Sequence, residues 1–131
     1  MSDQILVLVA EDEEVVRFVL VEALQDAGFA VIEVEHAEAA LSVLRIHNAS
    51  IHVLFTDIQM PGSMDGLALA HHTATNWPNI ALLITSARPR PNQARFPKKS
   101  RFLAKPYRHQ QVIRHIRDLA ATAGRQTKLP E

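Results

Sequence analysis

His52-Val53-Leu54-Phe55-Thr56-Asp57-Ile58-Gln59-Met60-Pro61-Gly62 is a β-branched and apolar run that stops at a single carboxylate and then turns on Pro-Gly. A run of that length and content predicts a buried strand over Ile51 to Thr56, with Asp57 at its C-terminal end. In an open α/β sheet, that edge is where ligands bind, because the loops there open into a crevice where the winding reverses. Asp57 is therefore the first candidate nucleophile, and its case depends on what other segments bring to the same edge.

Upstream, Ile5 to Val9 is a continuous apolar run without alternation, as expected of a strand covered on both faces, and it ends in Glu11-Asp12-Glu13. Apolar residues then recur at three and four through Val16, Val19, Leu20, Ala23, Leu24 and Ala27, predicting a helix from Glu13 to Ala27. Asp12 is its expected N-cap and Gly28 lies just past its end. Phe18 and Val21 are expected on its outer side, with Val15 at the margin. A second strand follows at Ala30 to Val34 and a second helix at Ala37 to His47.

Downstream of the Pro-Gly turn, Asp65-Gly66 precedes a helix over Leu67 to Thr75, and Ile80 to Thr85 is a fourth apolar strand followed by Ser86 and Ala87. Strands alternating with helices predict a doubly wound parallel sheet of the α/β class, helices on both faces. The alternation then breaks. Between Arg88 and Ser100, where a fourth helix is due, stand Pro89, Pro91 and Pro97. Each proline costs about 3 kcal/mol in a helix interior, so a Pro-rich loop is expected to replace that helix. Arg101 to Ala104 is a short fifth strand closed by Lys105-Pro106, Arg108 to Ala123 is a last helix, and 124–131 reads as a frayed tail.

The totals agree with one domain over residues 1–131, its core at about 4–123. Hydrophobic residues make up 47%, charged residues 21%, and the formal net charge is zero, which is globular composition and gives no general reason to expect nucleic acid or a membrane as partner. The chain has no cysteine, which excludes disulfides and thiolate metal sites. The N-terminus lacks a basic stretch ahead of a long apolar run, so a soluble, cytoplasmic protein is expected.

Under this topology Glu11, Asp12, Asp57, Ser86 and Lys105 converge on one crevice. Crowded carboxylates repel, so at least one should titrate abnormally unless a cation relieves them. Mg²⁺ suits the set, taking oxygen ligands from Glu11, Asp12 and Asp57, with the Gln59 carbonyl as a further donor. The remaining parts match phosphoryl transfer. Asp57 attacks as a carboxylate nucleophile, while Lys105 by charge and Ser86 by a hydrogen bond satisfy the phosphoryl oxygens.

At these residues the chain resembles a response-regulator receiver domain of two-component signalling, similar to the chemotaxis regulators. The resemblance rests on Glu11-Asp12, Asp57-Ile58-Gln59-Met60-Pro61, Met64-Asp65-Gly66, Ser86-Ala87 and Lys105-Pro106, and it covers about residues 4 to 123. It implies a flavodoxin-like fold with strand order 2-1-3-4-5, and phosphorylation of Asp57 by a histidine kinase or a histidine phosphotransfer protein. It also makes Ser86 and Phe102 the switch residues. Thr85 competes for the hydroxyl role, but Ser86 is preferred because Ala87 follows it directly and Trp77 lies nine residues before it.

The departures are specific. Glu11 is one methylene longer than aspartate, which favours a water-mediated contact. Ser63 is an extra residue in its turn, and Phe102 has no hydroxyl. Loss of the fourth helix alters the face expected to dock an output partner or to form a homodimer. On the first helix, Phe18 is expected to meet a kinase. The basic loop 88–101 is expected to be solvated surface, with an acidic protein or a nucleic-acid backbone as lesser alternatives. The downstream target is unspecified. Two rival functions stand beside the phosphoacceptor switch: a receiver-like binding module that works without phosphorylation, and an aspartate phosphatase. The phosphatase would want a second aspartate where Gln59 stands.

Overall fold

The computed structural model describes residues 4–88 and 92–128, with side chains to Thr122. Its elements follow the expected alternation: β1 Leu6–Ala10, α1 Glu14–Asp26, β2 Ala30–Val34, α2 Ala37–His47, β3 Val53–Asp57, α3 Gly66–Asn76, β4 Ala81–Ser86, β5 Arg101–Ala104 and α4 His109–Lys128. All strand pairs are parallel and the sheet order is β2-β1-β3-β4-β5, as the resemblance implied. The reversal of winding falls between β1 and β3, so the ends of these two strands open one crevice.

Period-two alternation splits the central strands between two apolar layers. Leu8, Leu54, Leu82 and Ile84 face α2 and α3, while Val7, Val9, Val53, Phe55 and Leu83 face α1 and α4. Both layers are dry, which explains why β1 and β3 read as unbroken apolar runs. Among the described residues no helix is long and apolar enough to cross a membrane.

Local chemistry sets the boundaries. Asp65 caps α3 by accepting from the Ala68 amide at 2.9 Å, and His36 caps α2 through Nδ1. Gly28, at φ +100°, ends α1 in the left-handed conformation that a side chain would resist. Asp12 does not cap α1. Glu13 occupies that position without a side-chain bond, because Asp12 points its carboxylate towards Glu11 and Asp57 instead.

The outer face of α1 also differs from expectation. Val21 is buried together with Leu20 and Leu24, whereas Val15, Phe18 and Val19 are exposed. The run of Val15, Val16, Phe18, Val19, Leu20 and Val21 in α1 fits more than one inward arc by spacing alone. The arc that is buried runs through Leu20, Val21 and Leu24, in a helix that packs on β2 and α4.

The region due to hold a fourth helix is irregular. Its one regular feature among the described residues is a 3₁₀ turn at Gln93–Arg95, capped by Asn92. Pro89, Arg90 and Pro91 lie outside the described residues. Phe96 packs on Phe102 at 5.6 Å between ring centres, and His71 Nε2 lies 2.6 Å from the Arg95 carbonyl oxygen, so the loop covers part of the sheet where a helix would have lain. At the other end, α4 runs through Gly124 to Lys128, further than expected. One glycine costs about 1 kcal/mol in a helix, too little to stop one that continues through Arg125 and Gln126. The remainder of the expected tail, 129–131, lies outside the described residues.

Candidate functional site

Asp57 is the last residue of β3 and is only 4% exposed. Two groups hold its carboxylate. The Gln59 amide donates to Oδ1 at 3.1 Å and the Lys105 ammonium donates to Oδ2 at 2.6 Å. Lys105 follows β5 and its peptide bond to Pro106 is cis. Its Nζ also lies 3.5 Å from Glu11 Oε1.

Glu11 is fully buried at the end of β1. Its Oε2 accepts from the Glu13 amide at 3.0 Å, while Oε1 has no hydrogen-bond partner. Arg17 donates to the Glu11 carbonyl at 2.8 Å and pairs with Glu33, tying β1, α1 and β2 together behind the site. Burial holds the Glu11 carboxyl above its ordinary range. The Glu13 amide and the Lys105 charge oppose that shift, and Asp57 and Asp12 add to it. Carboxylate crowding was expected to produce such a shift, but the larger cause is loss of water. At Lys105 burial alone would lower the pKa, yet the hydrogen bond and charge of Asp57, with Glu11, raise it.

Glu11, Asp12 and Asp57 each turn one oxygen into a space where the three lie within 4.8 Å of one another. Three hard anionic oxygens, contributed in part by the fully buried Glu11, fit a small divalent cation such as Mg²⁺. The extra methylene of Glu11 does not remove it from the group. The cluster opens into a cavity of about 450 Å³ lined by Asp12, Glu13, Asp57, Gln59, Arg88 and Lys105.

Ser86 ends β4. Its Oγ donates to the Gln59 side-chain oxygen at 3.0 Å and accepts from the Arg88 amide at 3.1 Å, so it stands beside the segment that follows Asp57. The Thr85 hydroxyl is buried without a partner. Phe102 is partly buried beneath Phe96.

The supporting roles of several residues escaped sequence reasoning. A Cβ at Gly66 would overlap the Asp57 backbone carbonyl and crowd Thr56 Oγ1, so only glycine lets α3 start this close to the site. Its place after the capping Asp65 was the available signal. Glu38 accepts from both the amide and the hydroxyl of Ser63, at 3.1 and 2.6 Å, which pins the turn after Asp57 to α2. Tyr107 packs edge-on against Phe55, and burial pushes its phenol up to about 12.

A doubly wound α/β domain in which an acid cluster, a strand-end aspartate and a lysine meet at one sheet edge is the arrangement that the resemblance to receiver domains implied. Comparison with known proteins identifies the family. The profile of the response regulator receiver domain matches residues 7–117, so this chain belongs to that family. It is 30% identical over 116 residues to the response regulator receiver protein CpdR of Brucella abortus, covering 86% of this chain and 88% of that protein. It is 29% identical over 126 residues to the sensor kinase CckA of the same organism, of which it spans only 13%. Among solved structures, a response regulator receiver protein from Sinorhizobium medicae superposes with a TM-score of 0.85 at 26% identity, covering 92% of this chain and 98% of that one. A CheY-like receiver domain from Methanospirillum hungatei shares the fold at 15% identity, with a TM-score of 0.85.

Proposed function

We propose that the protein is a phosphoacceptor switch in which Asp57 takes a phosphoryl group from a histidine kinase or a histidine phosphotransfer protein in the cytoplasm. The observation that carries this reading is the meeting of Lys105 Nζ with Asp57 Oδ2 at 2.6 Å, beside the Glu11 and Asp12 carboxylates. A carboxylate oxygen of Asp57 forms a bond to phosphorus as the bond from phosphorus to the donor's imidazole nitrogen breaks, and that nitrogen leaves with the electron pair. Lys105 then exchanges its bond to Asp57 for one to a phosphoryl oxygen and balances the incoming charge. Mg²⁺, held by Glu11, Asp12, Asp57 and the Gln59 carbonyl, would neutralise phosphoryl charge when bound.

Ser86 is the hydroxyl that reports the new group. To reach it, Ser86 gives up its bond to Gln59, and the loop beyond β4 moves with it. Phe102 is the aromatic residue under that loop, and its position changes with the loop. Self-phosphorylation and hydrolysis of the acyl phosphate are the whole of the catalysis.

The test is incubation with acetyl phosphate or beryllofluoride and Mg²⁺. A labile adduct, lost in Asp57→Asn and after chelation of the metal, is the expected result. Absence of an adduct in the folded wild type would favour a binding module that works without phosphorylation, and turnover of diverse phosphomonoesters would favour a phosphatase.

A further inference from the structure

The zero net charge conceals a division along the chain. Residues 1–87 hold twelve of the fourteen acids and two of the fourteen Lys and Arg, while residues 88–131 hold twelve of the bases and two of the acids. Lys105 crosses between the two sets to reach Asp57 and Glu11, but most of each set lies on different elements. The acidic part contains the β2 edge and α1, and the basic part contains the β5 edge, its preceding loop and α4.

Each charged region borders an apolar surface. On α1, Phe18 is 60% exposed with Val15 and Val19 beside it. Glu14 and Glu22 lie one helical turn before and after Phe18 and are exposed. The result is an apolar knob between two carboxylates. Under the β4–β5 edge, away from the phosphoacceptor, lies a cavity of about 510 Å³. It is lined by Pro78, Ile80, Leu82 and Leu119 and by Lys98, Lys99 and Arg101, the last of them paired with Asp118 at 3.5 Å. Lys98 and Lys99 are exposed. Here an apolar hollow has cations at its mouth.

We propose that a second copy of this chain docks its α1 face into this basic-rimmed cavity, giving a head-to-tail assembly. A two-fold contact of either surface with itself would set like charge against like charge. Only the crossed contact brings an apolar knob to an apolar hollow and carboxylates to ammonium groups. The apolar lining also separates this reading from nucleic-acid binding, which would need phosphate contacts and leave that lining uncovered. The contact is heterologous, so it extends into chains unless it closes on itself. It occupies the α1 face expected to meet a kinase, so assembly and kinase docking compete. It needs no phosphoryl group.

Sedimentation of the full chain without phosphodonor tests this. At low salt the mean mass should rise with concentration, and added salt should return it to the monomer value, because the rim pairs are screened. Lys98→Glu with Lys99→Glu should weaken association by roughly tenfold or more, as should Glu14→Lys with Glu22→Lys, since each places like charges across the contact. Mixing these two charge-reversed proteins restores a salt-sensitive contact between reversed surfaces and a second between native ones. Phe18→Asp mixed with the Lys98→Glu, Lys99→Glu protein should give a one-to-one pair that grows no further, because one usable contact remains. Circular dichroism confirms that each variant is folded. A wild type that stays monomeric at low salt, variants that associate undiminished, or mixtures that form no complex would each overturn the proposal. Binding of a duplex oligonucleotide without self-association would do so as well.

Discussion

Asp57 is held from several sides, and each contact has a different origin. Lys105 supplies charge, the Gln59 amide supplies a hydrogen bond, and Gly66 supplies the absence of a side chain. The last is the least forgiving, because the atom a Cβ would strike is the Asp57 carbonyl, which is backbone and has no rotamer to change. Gly66→Ala should therefore push the start of α3 off the sheet and tilt the Asp57 carboxylate. A loss of about 2 kcal/mol or more is expected in urea unfolding, since overpacking of this kind is not relieved by side-chain motion. Adduct formation with acetyl phosphate should fall with it. A folded Gly66→Ala protein of unchanged stability and unchanged adduct yield would show that α3 has freedom not evident in its packing.

At the scale of elements, the loop after β4 carries a prediction of its own. Phe96 stands over Phe102 in place of a helix, and the His71 contact to the Arg95 carbonyl is its pin to α3. His71→Ala and Phe96→Ala should leave the central strands intact while β4 and β5 amides exchange faster with solvent. The Phe96 change should cost roughly 1–2 kcal/mol, in keeping with a half-buried aromatic. Equal exchange in wild type and both variants would mean that the loop protects nothing. Prolines made this irregular stretch readable in advance, and uninterrupted apolar runs did the same for β1 and β3, because residue type alone decides those cases. The inward arc of α1 was not readable. Val16, Val19, Leu20 and Val21 are all apolar, and the choice among them belongs to the tertiary partners of the helix, β2 and the distant α4. The convergence of Glu11, Asp12, Asp57 and Lys105 was legible because each ends a strand of one parallel sheet. The Gln59–Ser86 bond and the Glu38–Ser63 clamp were not, since they depend on loop geometry that no spacing encodes.

Stability of the whole molecule should respond to alkaline pH through Tyr107. Its phenol is pushed up to about 12 from an ordinary value of 10.0, chiefly by burial, so the folded state favours the neutral form. The unfolded chain loses the proton first. The neutral phenol's contribution is thus fully present below pH 10 and is lost as pH rises towards 12, a change of roughly 1–2 kcal/mol after allowance for partial exposure of the ring. Urea midpoints for wild type and Tyr107→Phe should diverge in slope across that interval. At neutral pH the variant should be nearly as stable as wild type, because the buried hydroxyl has no partner to lose. Parallel pH profiles for the two proteins would exclude Tyr107 as the cause.

The clamp of Glu38 on Ser63 has a mechanical consequence. On one flank the aspartate's own turn is bolted to a helix, and on the other the chain beyond Ser86 hangs from a serine hydroxyl and, further along, a histidine. On the proposed phosphorylation of Asp57, a push delivered at the strand end should meet more resistance on the first side, which carries two bonds to one carboxylate, and displacement is expected to run outward across β4 and β5.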